Sequence, residues 1–264
     1  MSLTSKLYFK IKKILFAVVL IFLFCNATII NDSNEDLFKK GNDLYNNGLY
    51  EEAIESYQKI IDDDFHSSEV YFNMANSFYK IGSIAESIFY YEKAKQLSPN
   101  DKDILNNIRF ANNMTIDLIE ELPKSQLNLI KIQVKDFFNI EQWTKITILL
   151  SWFSVILFGL YIWKNRPQTK RLFFILGLFF FLSFLSSFLI GNSKNNESEK
   201  IKFAIIFDKK INIQEEPNYR SDEVFNLHEG TKVMVLESLD NWGKIRIQNG
   251  SEGWTELKGL KFLN

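Results

Sequence analysis

Side chains able to move protons, hold metals or form covalent intermediates are sparse in this 264-residue chain. Its two histidines, His66 and His228, stand far apart, each beside turn-like sequence, which is poor material for a metal site or a catalytic triad. No glycine loop of the phosphate-binding kind occurs. Asp62, Asp63 and Asp64 form an acidic run at the end of a helical pattern, where negative charge opposes the helix dipole. A solvated loop is the expected role of that run, and calcium binding the lesser alternative. The single cysteine, Cys25, directly follows the N-terminal apolar run 14–24. These residues point away from catalysis, and neither cofactor nor metal is expected. Nucleic acid is an unsuitable partner as well, because the basic residues gather beside apolar segments rather than on one polar face.

The chemistry that remains is recognition by amides and aromatic rings, and it depends on a repeat. Shifting the chain by 34 residues superposes Asn42 on Asn76, Gly48 on Gly82, Ile54 on Ile88, Tyr57 on Tyr91 and Lys59 on Lys93. Small residues also coincide, Gly41 with Ala75 and Ala53 with Ser87. That period, with small residues where paired helices touch, is a tetratricopeptide signature. In "DLFKKGNDLYNNGLYEEAIESYQKII" the first helix offers Leu37, Gly41 and Leu44 for packing, Gly48 permits the turn, and Ala53 lets the second helix approach. The second copy ends at Pro99. "KDILNNIRFANNMTIDLIEEL" continues the helical spacing as a capping helix, which is needed because two repeats alone do not close a stacked core.

Residues 34–114 are therefore expected to form an all-α superhelix. Its concave face would carry a partner-binding groove of Phe38, Asn42, Tyr45, Asn46, Asn73, Asn76, Tyr79 and Lys80. Tetratricopeptide domains that grip a C-terminal carboxylate use two asparagines and three basic groups. Asn42 and Asn73 fall at the asparagine positions, but Phe38, Asp103 and Asn107 occupy the basic ones, so that clamp is not reproduced. The alternative role for these asparagines is to bridge neighbouring helices.

Beyond the polar stretch "GNSKNNESEK" (191–200) the pattern changes to short β-branched runs: "KFAIIF", "KINIQ", "TKVMVLE", "GKIRIQ" and "GWTEL". Five short strands, an Asn249-Gly250 hairpin signal and two tryptophans, Trp242 and Trp254, predict an all-β SH3-like barrel over 201–264. The order of features resembles the bacterial SH3 family. Tyr219, Trp242 and Trp254 are the candidate ligand-binding residues, for peptide or cell wall, with Trp254 alternatively filling the core.

Mean hydropathy is only -0.10 although the chain has 25 Phe, so apolar residues are concentrated in blocks. Lys6, Lys10, Lys12 and Lys13 precede "ILFAVVLIFLF", a signal-peptide pattern over 1–27 with cleavage expected after Ala27. A lipidated Cys25 and an uncleaved anchor are the alternatives. Two further runs, 146–163 and 172–190, carry no charge and match the length of transmembrane helices. A buried soluble hairpin would need a large apolar partner that the rest of the chain lacks. Trp143, Trp152, Tyr161 and Trp163 are placed near the ends of the first span, as an aromatic belt. Between the runs lies "KNRPQTKR" (164–171), with four positive charges and no acid. Short basic loops stay cytoplasmic, which puts both soluble domains outside. Residues 115–145 are expected as an amphipathic linker, either along the membrane surface or bland.

Signal segment, "GNDLYNNGLYEEAIESYQKII", "FNMANSFYKIGSIAESIFYYEKAKQLSPNDKDILNNI", a membrane hairpin and an SH3-type tail, in this order, resemble the BatE-type proteins of the bacterial aerotolerance operon. The resemblance spans nearly the whole chain. It implies an inner-membrane protein working beside von Willebrand A-type membrane proteins, and indirectly a MoxR-like ATPase, in oxygen tolerance or envelope stress. The combined expectation is a multi-domain membrane protein: a non-enzymatic scaffold with both domains periplasmic, touching protein partners and the lipid bilayer. The competing expectation is a sensor or anchor that binds peptidoglycan through the SH3 domain.

Overall fold

The computed structural model describes residues 32–119, 125–200 and 202–263. The expected signal segment, with Cys25 and the cleavage site after Ala27, lies outside the described residues. Two helix-turn-helix units come first: α1 (Asp32–Asn46) with α2 (Tyr50–Asp62), then α3 (Ser68–Lys80) with α4 (Ile84–Leu97). A fifth helix, α5 (Lys102–Asn112), packs on α4 as the cap. The two inner turns share one geometry. Gly48 and Gly82 both adopt φ +79°, a left-handed conformation that side chains resist. Leu49 N–H donates to Leu44 O and Ser83 N–H to Phe78 O, each at 3.0 Å, closing both helices in the same way. Asp101 starts α5 by accepting from the N–H groups of Asp103 and Ile104. Ala53, Ala75, Ala85, Ala94 and Ala111 are buried where helices touch, and Tyr57, Ile60, Met74, Ile88 and Tyr91 fill the space between.

Next come α6 (Gln126–Asp136), α7 (Ile140–Trp163) and α8 (Pro167–Lys200). The last two pack on one another, and each is long and apolar enough to cross a membrane. Their limits differ from the expected ones. Asn139 and Gln142 form a reciprocal cap, so α7 begins at Ile140 rather than 146, which leaves Trp152 in mid-helix and Trp143, Tyr161 and Trp163 towards the ends. Pro167, suited to a first helical position, opens α8 inside the expected loop and leaves residues 164–166 as the connection. Residues 191–200, expected as a polar linker, are the last turns of α8. Polar composition sets solvation, and a solvated helix satisfies it as well as a coil does.

The C-terminal part is an antiparallel sheet of β1 (Lys202–Ile206), β2 (Lys210–Gln214), β3 (Glu223–His228), β4 (Lys232–Leu239), β5 (Trp242–Arg246), β6 (Glu252–Glu256) and β7 (Leu260–Phe262), in the order β3-β2-β6-β5-β4-β1-β7. Five of these strands match the expected runs. The two additions are the edge strands: β3 shows no clean alternation of burial, and β7 spans three residues. Gly250 adopts φ +90° between β5 and β6, where the Asn-Gly pair predicted a tight turn. Ile206, Ile213, Val233, Val235 and Ile245 form the centre of the inner face.

The helical repeats and the sheet share a core. Along β1, Ala204 and Ile206 face the sheet interior, whereas Phe203, Ile205 and Phe207 face the other way and join the cluster around α4. Phe207 meets Phe89 edge-on at 6.0 Å, and the Lys261 ammonium lies 4.4 Å above the Phe89 ring. Lys232 Nζ pairs with the buried Glu92 carboxylate at 2.7 Å. Asp117 accepts from the backbone N–H of His228 (2.6 Å), its ring Nδ1 (2.8 Å) and the Thr231 hydroxyl (2.6 Å). Burial alone would raise both carboxyls. At Glu92 the Lys232 and Lys95 charges together with the Lys232 hydrogen bond outweigh that, and at Asp117 the hydrogen bonds from Thr231 and His228 with the His228 charge do so, holding both below the ordinary carboxylate range.

Candidate functional site

The groove residues come from α1 and α3, and the repeat places them in register. Asn42 Oδ1 accepts from the Tyr57 hydroxyl at 2.7 Å and from Asn73 Nδ2 at 2.8 Å. One period later, Asn76 Oδ1 accepts from the Tyr91 hydroxyl at 2.5 Å and from Asn107 Nδ2 at 2.9 Å. Each node ties three helices together through an amide oxygen. Burial pushes the Tyr57 and Tyr91 phenols well above their ordinary value, so both stay protonated donors. Beside them, Phe38 leans on Tyr57 at 6.1 Å and 53°, and Phe72 leans on Tyr91 at 5.8 Å and 54°.

The asparagines thus do bridge helices, yet the bridging uses only half of each amide. Among the described residues, Asn42 Nδ2 and Asn76 Nδ2 keep unspent donors, and Asn73 Oδ1 and Asn107 Oδ1 keep unspent acceptors. Tyr45 packs edge-on against Tyr50 at 5.3 Å, and Tyr79 is half-buried at the equivalent position. Asn46 and Lys80 end α1 and α3 and are exposed. Sequence reasoning missed Phe72 and Asn107 as members of this set. The signal was available, since adding the period of 34 to Phe38 and to Asn73 gives them directly.

In the sheet, Trp242 lies across from Glu256, and Trp254 across from Lys244. Residues opposite one another share a face, and the alternate residues Gly243, Ile245, Gly253 and Thr255 point inward. Both tryptophans therefore stand on the outer face. Trp254, the expected core tryptophan, is half-buried, whereas Trp242 is 9% exposed. Tyr219, in the loop between β2 and β3, packs on Trp242 at 5.1 Å and 62°. Tyr219 itself is 75% exposed and donates its hydroxyl to the Glu256 carboxylate. That hydrogen bond lowers Glu256 and raises the Tyr219 phenol. Aliphatic side chains complete the inner core, so neither ring is needed there.

Among the described residues no cluster of histidine, cysteine or acid side chains could hold a metal. His66 contacts Asp64 and the Tyr71 hydroxyl, and His228 belongs to the Asp117 contact between the repeats and the sheet.

Two family models match the chain. The tetratricopeptide repeat model covers residues 68–101, which is the α3–α4 unit. The bacterial SH3 domain model covers residues 209–260, from just before β2 into β7. No curated protein matches this chain.

Proposed function

We propose that the chain is a non-enzymatic, membrane-anchored scaffold that presents the α1–α3–α5 groove and the SH3 domain together on the periplasmic side. The duplicated asparagine node carries this reading. Its unspent N–H and C=O groups recur once per repeat, which suits the alternating carbonyls and amides of an extended peptide. Tetratricopeptide and SH3 modules both serve protein-protein interaction, and α7 with α8 supplies a hairpin of membrane-spanning length. By its resemblance to the BatE-type proteins, the groove serves an aerotolerance or envelope-stress complex. Its partner there is a von Willebrand A-type membrane protein, with a MoxR-like ATPase acting indirectly across the bilayer.

The test is photo-cross-linking in the cell from Tyr45 and Tyr79, with Asp63 as an exposed control away from the groove. The expected result is an adduct with a von Willebrand A-type membrane protein that Asn76→Ala weakens. Adducts no stronger than those from Asp63 would overturn the groove assignment.

A second reading, a cell-wall sensor or anchor, is favoured by one observation. Tyr219, Trp242 and Trp254 stand on one outer face with Tyr219 largely uncovered, as a platform for a peptide or sugar would.

A further inference from the structure

We propose that α6 is an interfacial helix, whose apolar surface lies in the lipid headgroup layer and holds the repeat domain against the membrane. None of its residues is buried. Leu127, Ile130 and Val134 are spaced to share one helical face, and they are 73%, 56% and 44% exposed. Asn128, Lys131 and Lys135 share the neighbouring face on one side by the same spacing, and Gln126 and Gln133 flank it on the other, so the apolar face is bordered by a cationic edge and an uncharged polar one. Leu129 and Ile132 are exposed as well, beyond Gln126 and Gln133, and exposed Phe137 extends the apolar residues toward α7. A soluble protein rarely leaves so much contiguous apolar surface without an occupant.

Contacts at the C-terminal end of α6 identify that occupant. Lys194 of α8 donates to Lys135 O (3.1 Å) and Phe138 O (2.9 Å) and pairs with the Asp136 carboxylate (3.2 Å). Trp143 of α7 donates its indole N–H to Lys135 O at 3.1 Å and packs edge-on against Phe138 at 5.2 Å. Trp143 and Lys194 stand where the apolar stretches of α7 and α8 end, the level at which indoles and lysines meet headgroups. These contacts hold the C-terminal end of α6 beside the end of the hairpin, so the lipid phase that covers the hairpin is the occupant within reach of the exposed face of α6. The repeats are fastened at this corner too: Asn100 Nδ2 donates to Asp136 O (2.7 Å) and Phe137 O (3.0 Å), and Asn139 Nδ2 donates to Leu97 O (2.7 Å). A helix lying in the membrane surface would thus fix the height of the groove, restricting its partners to segments displayed close to the bilayer.

This inference rests on the reading that α7 and α8 span a membrane, and the experiment separates the two. The full chain, with Cys25→Ser, is placed in lipid nanodiscs with single environment-sensitive labels at Leu127→Cys, Ile130→Cys or Val134→Cys. Ile156→Cys on α7 and Asp63→Cys in the repeats serve as lipid and water references. Quenching by nitroxide lipids at all three α6 positions, with iodide quenching about threefold weaker than at Asp63, is the expected result for an interfacial helix. Water-like behaviour at the α6 positions with Ile156 quenched by lipid would overturn the interfacial helix and leave the spanning reading intact. Shielding of α6 from both quenchers would overturn it in favour of a second copy or a protein partner. Loss of lipid quenching at Ile156 as well would overturn both.

Discussion

At the scale of single residues, the asparagine and tryptophan side chains show how residues of one type differ in what the fold asks of them. Among the described residues, Asn42 and Asn76 spend their oxygens on buried tyrosine hydroxyls and neighbouring amides and leave their own N–H groups unspent. The period of 34 carried this information down to the ring angles of Phe38 and Phe72, because each repeat solves the same packing problem. The tryptophans were harder to read. Alternation tells which residues share a face but not which face is wet, and an exposed tyrosine in a loop then covered Trp242. The cell-wall reading makes a prediction here: the full chain in detergent should sediment with purified peptidoglycan, and Trp242→Ala should abolish this. Sedimentation that is absent, or unchanged by Trp242→Ala, would remove the aromatic face from that role.

At the scale of elements, α4 and β1 explain how the two domains become one body. "IFYYEKA" in α4 has no continuous polar face, and Ile88, Phe89, Tyr90, Tyr91 and Glu92 are all buried. A helix apolar all round must be covered all round. "KFAIIF" likewise lacks alternation because β1 is packed on both faces. Both signals were present in the sequence; what they lacked was a partner, since two elements more than a hundred residues apart cannot be paired without an alignment or a structure. The interface should be sensitive to acid. The folded-state values of Glu92 and Asp117 are depressed, so their stabilisation is complete above the ordinary carboxylate range, about pH 4, and is lost as pH falls through those depressed values. Hydrogen-exchange protection of the β1 amides should hold steady from about pH 7 to 5 and fall below about pH 4. Asp117→Asn should lower protection at neutral pH and flatten the acid limb. A loss already complete at about pH 5 would contradict this assignment.

At the scale of the whole molecule, α8 runs to Lys200 and β1 starts at Lys202, so the SH3 domain continues a membrane-length helix rather than hanging from a tether. The last ten residues of α8 correspond to about 15 Å of helix. The sheet is thus joined to α8 by the chain and to α4 by a shared core, while the repeats are joined to α6 and α7 by Asn100 and Asn139. The groove and the aromatic face are thus linked to each other and to the hairpin by packed contacts as well as by the chain. Domain order was legible because repeat period, apolar length and strand alternation are local signals. The docking of one domain on the other was not, because it depends on complementary surfaces.

In the topology proposed above, both domains stand outside the cytoplasm, on a hairpin whose basic turn stays inside. Single cysteines at Asp63, Asn249 and Gln168, each in the full chain with Cys25→Ser, would be treated with a membrane-impermeant maleimide in intact spheroplasts. The account predicts labelling at Asp63→Cys and Asn249→Cys, and none at Gln168→Cys until the membrane is opened. Labelling at Gln168→Cys alone would contradict it, place both domains in the cytoplasm, and put the groove within reach of a cytoplasmic ATPase.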